Sequence, residues 1–448
     1  MRKTIKLIFC ILFVLFSVIP MVFMPFAKEN NAEKRDLAEK PVLVDENGNI
    51  NADFFGDTDD YLSDNFGFRT NLVNALSKIK DKVFKTSAEN EIIIGKKGWL
   101  FFEKTLNDFS REKTLSQSDL KRIAKTLDLI YEYVESKNAK MVFFIAPNKN
   151  TVYPKYMPYY YAKGGKNSNF ENLNTVMKNK DYYINLLPLL KNNKEQIYHT
   201  LDSHWNNLGA AIGFNVVMNK FEKDAFDYLS CDNEIKSTHA GDLYKMLYPT
   251  GKKLDNQVVF NHKTSFEFTS RYKTEEDLVI KTKNKIKEGS LTMYRDSFCN
   301  ALLPMFADEF STAEFSRIFP YRLNLVDTNK SDYVVFELVE RNIGNLLLSA
   351  PVMKAPERKG LELKEINGKI IGSKKSGNLL HIYGSVDSAT DDIFLSVSGK
   401  DGNWIFEAFP IYESKLIDGQ EAIKSGGFSA YIPFSNIDEI DIKICSLK

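Results

Sequence analysis

A short motif, Asp202-Ser203-His204-Trp205, contains the residue types that general-base catalysis needs. The chain has only five histidines, and His204 stands two places after an acidic residue. Where the backbone is extended, residues i and i+2 project to the same side, so Asp202 can accept the Nδ1 proton of the imidazole. This contact would orient the ring and stabilise its protonated form. A surface turn or a helix start is the structural alternative, because a D-x-H pattern often arises by chance.

A candidate nucleophile, Ser297, lies in Tyr294-Arg-Asp-Ser-Phe298, where a β-type run meets a helical one. A serine at that junction would place its Oγ at the carboxyl edge of a sheet, where open α/β folds bind their ligands. Backbone N–H groups of the following turn could hold an oxyanion. An ordinary helix N-cap is the alternative role for this serine. Cys299 is a second possible nucleophile, although no feature marks it as a low-pKa thiol.

Polar residues also follow two other predicted strands. Asn148 and Lys149 come soon after the apolar run 141–146, and Arg341 follows the run 332–339. The carboxyl ends of parallel strands meet at one edge of a sheet, so these side chains are expected near the same edge. A plain β–α turn is the alternative for Asn148 and Lys149, and a structural ion pair is the alternative for Arg341.

Several other chemistries lack support in the sequence. The 60 basic and 59 acidic residues leave a net charge of +1, which gives no global electrostatic case for nucleic acid. The four cysteines are scattered and form no C-x-x-C pair, so neither a disulfide framework nor a thiolate zinc site is predicted. No glycine-rich loop precedes a helix, which disfavours kinases and NTPases. A metal site would need Asp202 and His204 with a further histidine, in spacings that match no zinc signature. The histidines considered for it are His199, His239 and His262.

The elements that must position these residues alternate between helix and strand. Apolar residues recur at helical spacing through residues 116–138, where Ser116 and Asp119 resemble a capping pair. The continuous apolar runs 141–146 and 332–339 are typical of strands covered on both faces, as in a parallel sheet. The unit repeats as a short strand at 197–201, a helix at 207–221, a strand at 290–295 and a helix at 299–310. This alternation predicts an open, mostly parallel α/β sheet flanked by helices.

The pattern changes after about residue 350. Short β-type segments replace the alternation, and turn signals such as Asn367-Gly368 and Asp401-Gly402 separate them. These segments occupy residues 380–384, 393–397, 404–408, 429–433 and 440–444. Short strands at regular spacing predict a β-sandwich-like domain in residues 351–448.

The N-terminus carries a long apolar run. Residues 7–27 contain no charged residue, whereas Arg2, Lys3 and Lys6 precede them. A helix of about 20 residues spans the hydrocarbon core, while the apolar region of a cleaved signal peptide is roughly 7–15 residues long. We therefore expect a signal anchor in residues 1–27 that crosses the cell membrane once, with a cleaved signal peptide as the alternative. The basic flank should stay in the cytoplasm, which places the stalk and candidate catalytic domain of residues 28–350 outside it.

Taken in order, these motifs resemble the AlgJ/AlgX-type alginate O-acetyltransferases, which are SGNH-hydrolase-like proteins related to the DHHW proteins. The resemblance runs from roughly residue 33 to residue 342, and the shared order of the motifs makes it specific. The matching segments are Glu33-Lys-Arg-Asp-Leu-Ala-Glu-Lys-Pro41, Tyr61-Leu-Ser-Asp-Asn-Phe-Gly-Phe-Arg69, Ile94-Gly-Lys-Lys-Gly-Trp-Leu-Phe-Phe102, Pro147-Asn-Lys with Tyr153-Pro154, Asp202-Ser-His-Trp205 with Gly209, Gly241-Asp-Leu243, Asp296-Ser-Phe298 and Glu340-Arg341.

The resemblance implies a catalytic triad of Asp202, His204 and Ser297. Ser297 would take an acetyl group with His204 as base and Asp202 as orienter, and the acetyl would then pass to a sugar hydroxyl or to water. The glycine of the ordinary Gly-Asp-Ser block and the usual oxyanion Gly and Asn blocks have no counterpart here. The candidates for the oxyanion hole or for substrate positioning are therefore the Ser297 N–H, Asn148, Lys149, Asn300 and Arg341.

The predicted function is an extracytoplasmic O-acetyltransferase that acts on a cell-surface or secreted polysaccharide. A membrane acyl-transfer partner of the MBOAT type, which would supply the acetyl group, is implied by the resemblance, and no cofactor is expected. A carbohydrate esterase with water as acceptor and a non-catalytic glycan-binding protein are the alternatives. In such proteins a β module can bind glycan, and Trp404, Tyr383 and Tyr412 are candidates for a stacking face. Core aromatics of a sandwich are the structural alternative for these three.

Overall fold

The computed structural model describes residues 2–24, 38–44, 48–84, 86–387, 390–417, 420–434, 437 and 440–448. The α-helices of these residues are α1 (Arg2–Phe23), α2 (Phe54–Asn65), α3 (Arg69–Ile79), α4 (Leu106–Ser110), α5 (Gln117–Glu135), α6 (Lys149–Val152), α7 (Asn169–Met177), α8 (Leu187–Lys191), α9 (Asn207–Phe221), α10 (Asp242–Leu247), α11 (Leu303–Glu309) and α12 (Asn324–Thr328). The strands are β1 (Ile92–Ile94), β2 (Leu100–Phe102), β3 (Lys140–Ala146), β4 (Tyr183–Ile184), β5 (Asn233–His239), β6 (Asp255–Phe260), β7 (Glu267–Phe268), β8 (Val279–Lys283), β9 (Ser290–Tyr294), β10 (Thr312–Ser316), β11 (Tyr333–Val339), β12 (Glu357–Arg358), β13 (Leu363–Glu365), β14 (Gly368–Ser376), β15 (Leu379–Val386), β16 (Ile393–Gly399), β17 (Gly402–Ile417), β18 (Gln420–Ile432) and β19 (Ile440–Leu447).

A seven-stranded sheet in the order β4-β3-β11-β9-β10-β8-β7 forms the centre of the α/β region. The first five strands pair in parallel, and β8 and β7 add antiparallel pairs at one edge. Because β3, β9 and β11 run in the same direction, the loops that follow them leave from one edge. The sheet is therefore mixed, with the parallel centre that the sequence predicts, and it gathers three separate chain segments at its carboxyl edge.

The central strands are covered on both faces. In β3, Val142 and Phe144 pack into a core cluster with α9 and α11, whereas Phe143 and Ile145 pack into a second cluster with α5 and α7. A strand buried in this way needs apolar residues at successive positions. This requirement explains why β3 shows no polar alternation in the sequence.

The helices that cover the sheet begin at the positions their caps predict. The Ser116 side chain accepts the Asp119 N–H and the Asp119 side chain accepts the Ser116 N–H, so the capping box before α5 is confirmed. A cap of this kind contributes about 1 kcal/mol to helix stability. The predicted helix 207–221 is also confirmed, since α9 has the same bounds and Asn206 caps it.

Two local predictions are wrong in detail. Residues 197–201 form no strand, and only an isolated bridge between Tyr198 and Trp205 occurs there. The helix predicted at 299–310 is split into a 3-10 turn, Ser297–Ala301, and α11, whose first turn contains Pro304. The tight turn matters because Ser297 is its first residue.

The C-terminal region is rich in strands. Its sheet has the order β13-β19-β16-β17-β18-β15-β14, and β12 also pairs with β17. The first part of β17 pairs with β16 and its later part pairs with β18. The strand β17 therefore belongs to both halves of the sheet, one with β13, β19 and β16 and the other with β18, β15 and β14. Buried residues from both halves share a single core cluster. The sheet thus folds over its own core, while the domain boundary at residue 350 stays a prediction.

This C-terminal sheet packs against α5. The buried Arg122 of α5 donates to the carbonyl oxygens of Ile411 and Gly427, the latter at 3.1 Å. An ion pair between Glu132 and Arg358 lies at the same junction. These contacts attach the C-terminal sheet to the helix that covers one face of the central sheet.

The three aromatic residues predicted as a glycan-stacking face do not share a face. Trp404 is half-buried against the C-terminal core, with its ring 5.2 Å from that of Phe434. Tyr412 packs at the junction with α5, 5.9 Å from the Arg122 guanidinium. Tyr383 is the exposed one, at 38%. The prediction of a platform made by these three residues is therefore wrong.

The helix α1 is long and apolar enough to cross a membrane, by length and composition. Its most apolar window has a mean hydropathy of 2.7 and is 6% buried within the chain. A signal sequence has the same properties, so the helix supports membrane targeting without deciding between anchor and signal. The predicted end of the anchor at residue 27 and residues 33–37 of the family motif lie outside the described residues.

Candidate active site

Ser297, His204 and Asp202 form a continuous hydrogen-bonded series at the carboxyl edge of the sheet. His204 Nε2 lies 2.8 Å from Ser297 Oγ, and His204 Nδ1 lies 2.7 Å from Asp202 Oδ1. The carboxylate accepts a hydrogen bond from Nδ1–H, which leaves Nε2 free to accept the proton of the serine hydroxyl. The structure therefore brings together a nucleophile, a base and an orienting acid with the mutual geometry that acyl transfer requires.

Asp242, the first residue of α10, binds the loop that carries Asp202 and His204. Asp242 donates its N–H to Asp202 Oδ2 at 2.9 Å, and its carboxylate accepts the Ser203 N–H at 2.8 Å and the Ser203 hydroxyl at 2.7 Å. This approach requires the glycine of the Gly241-Asp-Leu243 motif, because a Cβ on Gly241 would lie 2.4 Å from the Leu201 carbonyl oxygen. The close approach of the Leu201 backbone therefore explains why a glycine occupies position 241.

The turn that carries Ser297 is anchored by the acidic residue before it. Asp296 accepts the Phe298 N–H at 2.9 Å and the Val339 N–H at 2.7 Å, one with each carboxylate oxygen. Its own N–H donates to Glu337 at 2.9 Å. The aspartate of the Asp-Ser pair thus both caps the turn and ties it to β11, which fixes the hydroxyl relative to the sheet.

Arg295 stands where the ordinary Gly-Asp-Ser block has glycine, and the sequence does not reveal its role. The side chain is buried and donates to the carbonyl oxygens of Glu275, at 2.7 Å, and Asp277, at 3.1 Å. It also donates to Asn300 Oδ1 at 2.9 Å. Arg295 therefore binds the wall formed by residues 275–277 to the nucleophile turn.

Two of the four predicted positioning side chains lie at or beside the pocket. Asn300 lines it, with one amide hydrogen donated to Glu276 at 3.1 Å. The Arg341 guanidinium lies 5.7 Å from the Phe298 ring, and that ring is 4.8 Å from the His204 imidazole. Both residues remain candidates for stabilising negative charge near Ser297.

The other two predicted side chains have structural contacts instead. Lys149 is 3% exposed, and its ammonium donates to the carbonyl oxygens of Leu100, Thr200 and Asp202 at 2.7, 2.9 and 2.8 Å. Burial lowers the pKa of Lys149 to about 7, against the opposing effect of nearby carboxylates. All three of its hydrogens are used, so Lys149 braces the Asp202 loop from behind and does not reach a substrate.

The side chain of Asn148 is also buried away from the pocket. Its N–H donates to Glu340 at 2.8 Å and its side-chain amide donates to Asp108 at 3.1 Å. Burial raises the pKa of Glu340 to about 8 and that of Asp108 to about 6. The prediction that Asn148 and Lys149 contact the oxyanion or substrate is therefore wrong, because both side chains are buried and bonded to other parts of the protein.

Cys299 is not a second nucleophile. The thiol is fully buried and burial raises its pKa well above the ordinary value. A thiol in such surroundings stays protonated and out of reach of a substrate. Ser297 is the residue of this turn that faces the imidazole.

Hydrogen bonds and charges set the proton affinities of the site. Burial would raise the pKa of Asp202, but the contacts with His204 and His239 outweigh it and hold that pKa well below the usual range. Burial would likewise lower the pKa of His204, but Asp202, with help from Asp242, raises it above the ordinary value. The imidazolium that forms when the serine loses its proton is thereby stabilised.

A cavity of about 500 Å³ opens beside the serine and the imidazole, a volume typical of small-ligand sites. Acidic, amide and histidine side chains dominate its wall. The lining residues are His199, Asp202, His204, Trp205, Asn207, His239, Ala240, Asp242, Lys245, Gln257, Glu275, Glu276, Ser297, Phe298, Asn300 and Ala301.

The atoms around Asp202 and His204 fit a metal site less well than they fit a proton-transfer site. Donor atoms of Asp202, His204 and Asp242 lie within 4.8 Å of one another, but the group does not include the further histidine that the sequence alternative requires. His262 pairs with Asp308 elsewhere, at 2.8 Å. Since the Asp202 carboxylate and His204 are bonded to each other and His204 Nε2 faces a hydroxyl, the geometry favours proton transfer.

Residues 92–284 match the family model of the SGNH hydrolase-like domain of acetyltransferase AlgX. The match confirms the resemblance over this part of the chain and supports an acetyltransferase of the SGNH-like type in general. It contains Asp202 and His204 and ends before Ser297. No curated protein matches the sequence.

Several solved structures match parts of the chain at low sequence identity. A DHHW family protein from Eubacterium siraeum is 17% identical, over 56% of this chain and 94% of its own, with a TM-score of 0.42. PatB1 from Bacillus cereus is 18% identical, over 57% and 97%, with a TM-score of 0.44. AlgX from Pseudomonas aeruginosa is 13% identical, over 84% and 98%, with a TM-score of 0.35.

Proposed function

We propose that this chain is an extracytoplasmic O-acetyltransferase that moves an acetyl group, by way of Ser297, to a hydroxyl of a cell-surface or secreted polysaccharide. The observation that carries the proposal is the unbroken series of hydrogen bonds from Ser297 through His204 to Asp202 at the wall of a pocket. The AlgX-type match over residues 92–284 supports acetyl as the group transferred.

In the first half-reaction, Ser297 Oγ attacks the carbonyl carbon of an acetyl ester. The hydroxyl proton passes to His204 Nε2 and then to the oxygen of the leaving alcohol, whose bond to the acetyl carbon breaks. Asp202 stabilises the imidazolium between these two transfers. The Ser297 N–H and the Asn300 amide are the proposed donors to the carbonyl oxygen as it becomes negative.

In the second half-reaction, a sugar hydroxyl takes the place of the leaving alcohol. His204 Nε2 accepts its proton, the sugar oxygen attacks the acetyl carbon, and Ser297 Oγ leaves and regains a proton. Water at the same position would give acetate and an esterase. A transferase therefore needs an acceptor that fills the pocket and excludes water from the acetyl-serine.

The proposed location follows from the N-terminal helix. Helix α1 would hold the chain at the membrane with the pocket outside the cytoplasm, within reach of a polysaccharide. An integral membrane acyltransferase of the MBOAT type is the proposed source of the acetyl group, because an extracytoplasmic pocket needs a donor carried across the bilayer. This partner rests on the resemblance.

The test is intact-protein mass spectrometry after exposure to an activated acetyl ester. The wild-type chain should gain about 42 Da on Ser297, and Ser297→Ala should not. Circular dichroism and thermal melting serve to show that the variant is folded. An equal mass gain in both proteins would overturn the proposed nucleophile.

Adding an oligosaccharide to the acetylated protein then separates the alternatives. Transfer predicts that the mass gain is lost and that an acetylated sugar appears in the same sample. Free acetate without acetylated sugar would indicate an esterase. Retention of glycan without any acetyl-serine would indicate a binding protein.

A further inference from the structure

A second histidine contacts the carboxylate of the series. His239 Nε2 lies 2.8 Å from Asp202 Oδ2, the oxygen that does not face His204. The acyl-transfer steps described above do not use this contact, and the residue lines the pocket. Its side chain is 30% exposed, so the carboxylate is shielded from solvent on that side by an imidazole.

The position of His239 is determined by its own neighbours. It ends β5, where the pairing with β6 shifts register between Ser237 and His239 and so redirects the last side chain. Its ring stacks on that of His199, with centroids 3.8 Å apart and planes at 6°. Burial lowers the pKa of His199 to about 3, so the supporting ring is neutral. The stack holds His239 in one orientation.

Asp202 thereby accepts four N–H groups. Oδ1 receives the imidazole and backbone N–H groups of His204, at 2.7 and 2.9 Å, while Oδ2 receives the Asp242 backbone N–H at 2.9 Å together with His239. A carboxylate with donors on both oxygens cannot rotate about its Cβ–Cγ bond without breaking several of them. The donors on Oδ2 therefore set the plane in which Oδ1 meets His204.

We propose that His239 is a positioning residue of the acyl-transfer site, which holds the Asp202 carboxylate in the plane that orients His204 towards Ser297. The proposal rests on the proposed function of Ser297. His239 acts through Asp202, so its loss should reduce kcat and leave KM nearly unchanged. A displaced base costs about 10- to 100-fold in rate.

The same contact gives a signature in the pH profile. Without the His239 donor, Oδ2 is less stabilised and more of the carboxylate charge acts on His204, whose pKa rises. The acid limb of the pH profile, where kcat rises with pH as His204 loses its proton, should therefore move to higher pH. The other charged or titratable groups near His239, on the elements packed against it, are His199, Asp202, Asp242, Lys149, Lys245, Asp255, Glu275 and Glu276.

Three substitutions separate a positioning role from simple packing. Glutamine can place Nε2 where the imidazole Nε2 lies, asparagine is too short, and alanine has no donor. We expect His239→Ala and His239→Asn to lose about 10- to 100-fold in kcat, with the acid limb at higher pH. His239→Gln should recover to within about threefold of wild type. The assay is hydrolysis of an acetyl-ester dye by the full chain.

His262→Ala is the matched control, because His262 donates to Asp308 at the same 2.8 Å outside the pocket. It should change neither kcat nor the acid limb. His239→Ala with unchanged kcat and pH profile would overturn the proposal, and so would a His239→Gln variant that is folded and as defective as His239→Asn. The glutamine–asparagine comparison decides the matter even where alanine destabilises the fold. A wild-type protein that never acquires acetyl on Ser297 overturns the proposed function first, and the role of His239 with it.

Discussion

His204 with Asp202 and His262 with Asp308 are two pairs of nearly equal geometry. The nitrogen–oxygen distances are 2.7 and 2.8 Å, and the side-chain exposures are 18% and 6% in the first pair and 19% and 4% in the second. Each carboxylate also accepts a backbone N–H, from His204 and from Ser265 respectively. Distance and burial therefore do not distinguish a reactive pair from a structural one.

The difference lies in the nitrogen that each ring leaves free. His204 gives Nδ1 to its carboxylate and presents Nε2, the outer nitrogen, to Ser297 Oγ. His262 gives Nε2 to Asp308, and its ring stacks on Phe226 with centroids 3.8 Å apart. The second ring keeps only the nitrogen nearest its own backbone. The comparison teaches that the unused nitrogen and what faces it define the candidate site.

The largest expected difference comes from removing the serine hydroxyl next to each histidine–aspartate pair. Ser297→Ala should lower acetyl-ester turnover by at least about 10³-fold, because the acyl-enzyme cannot form. Ser265→Ala removes a hydroxyl bonded to Asp308 and should leave turnover within about twofold of wild type. Steady-state hydrolysis of an acetyl-ester dye measures both. Equal losses in the two variants would mean that Ser297 is no more than another structural hydroxyl.

The next effect compares the two carboxylates. Asp202→Asn should lower kcat by about 10³- to 10⁴-fold, since an amide no longer orients the imidazole or stabilises its cation. Asp308→Asn should keep kcat and instead lower the free energy of unfolding by about 1–3 kcal/mol, the usual effect of a disturbed buried hydrogen-bond group. Kinetics and denaturant titration of both variants provide the measurement. A catalytic loss in Asp308→Asn would contradict the distinction.

A smaller effect concerns the arginine beneath the nucleophile. Arg295→Lys keeps the charge but cannot reach Glu275, Asp277 and Asn300 together, so the pocket wall shifts. We expect a loss of about 10-fold in kcat/KM. Arg111→Lys is the control, because Arg111 also binds two carbonyl oxygens and a carboxylate, away from the pocket. An equal loss in the control would show a general effect of lost stability.

The smallest effect is a shift in pH dependence. His204 must be neutral to accept a proton and its pKa is raised, so kcat/KM should rise with pH through a value above the ordinary 6.5. Asp242→Asn removes a charge that favours the imidazolium, and the acid limb should move to lower pH. Asp308→Asn should leave the limb in place. A limb that moves equally in both variants, or moves upward in Asp242→Asn, would contradict the assignment of the base.

Local patterns predicted much of the scaffold and part of the site. The capping box at Ser116, the bounds of α9 and the buried strands β3 and β11 follow from cap chemistry and apolar spacing, which act within a few residues. The contact between Asp202 and His204 is equally local, since the two residues lie two places apart. The junction of a strand with a helix marked Ser297 as a candidate nucleophile, and only the resemblance of ordered motifs connected it to His204.

Direction and distant contact could not be read in this way. A residue after a strand faces the pocket or the interior according to what packs around it. Lys149 faces the interior, where its ammonium donates hydrogen bonds to three backbone carbonyl oxygens. The predicted stacking face was wrong for a related reason, since the shared strand β17 sends Trp404 and Tyr412 to different cores.

The amino-acid sequence therefore determined the α/β scaffold, the apolar N-terminal helix and the chemical types that meet at the candidate site. Tertiary structure decided which of those types face one another. Asp242 and His239 reach Asp202 from about 40 residues away, and Arg295 binds a wall about 20 residues before it. Such contacts depend on how loops pack at one sheet edge, and the spacing of residues along the chain does not specify which side chains meet there. The same packing separates His204, which faces a hydroxyl, from His262, which faces an aromatic ring.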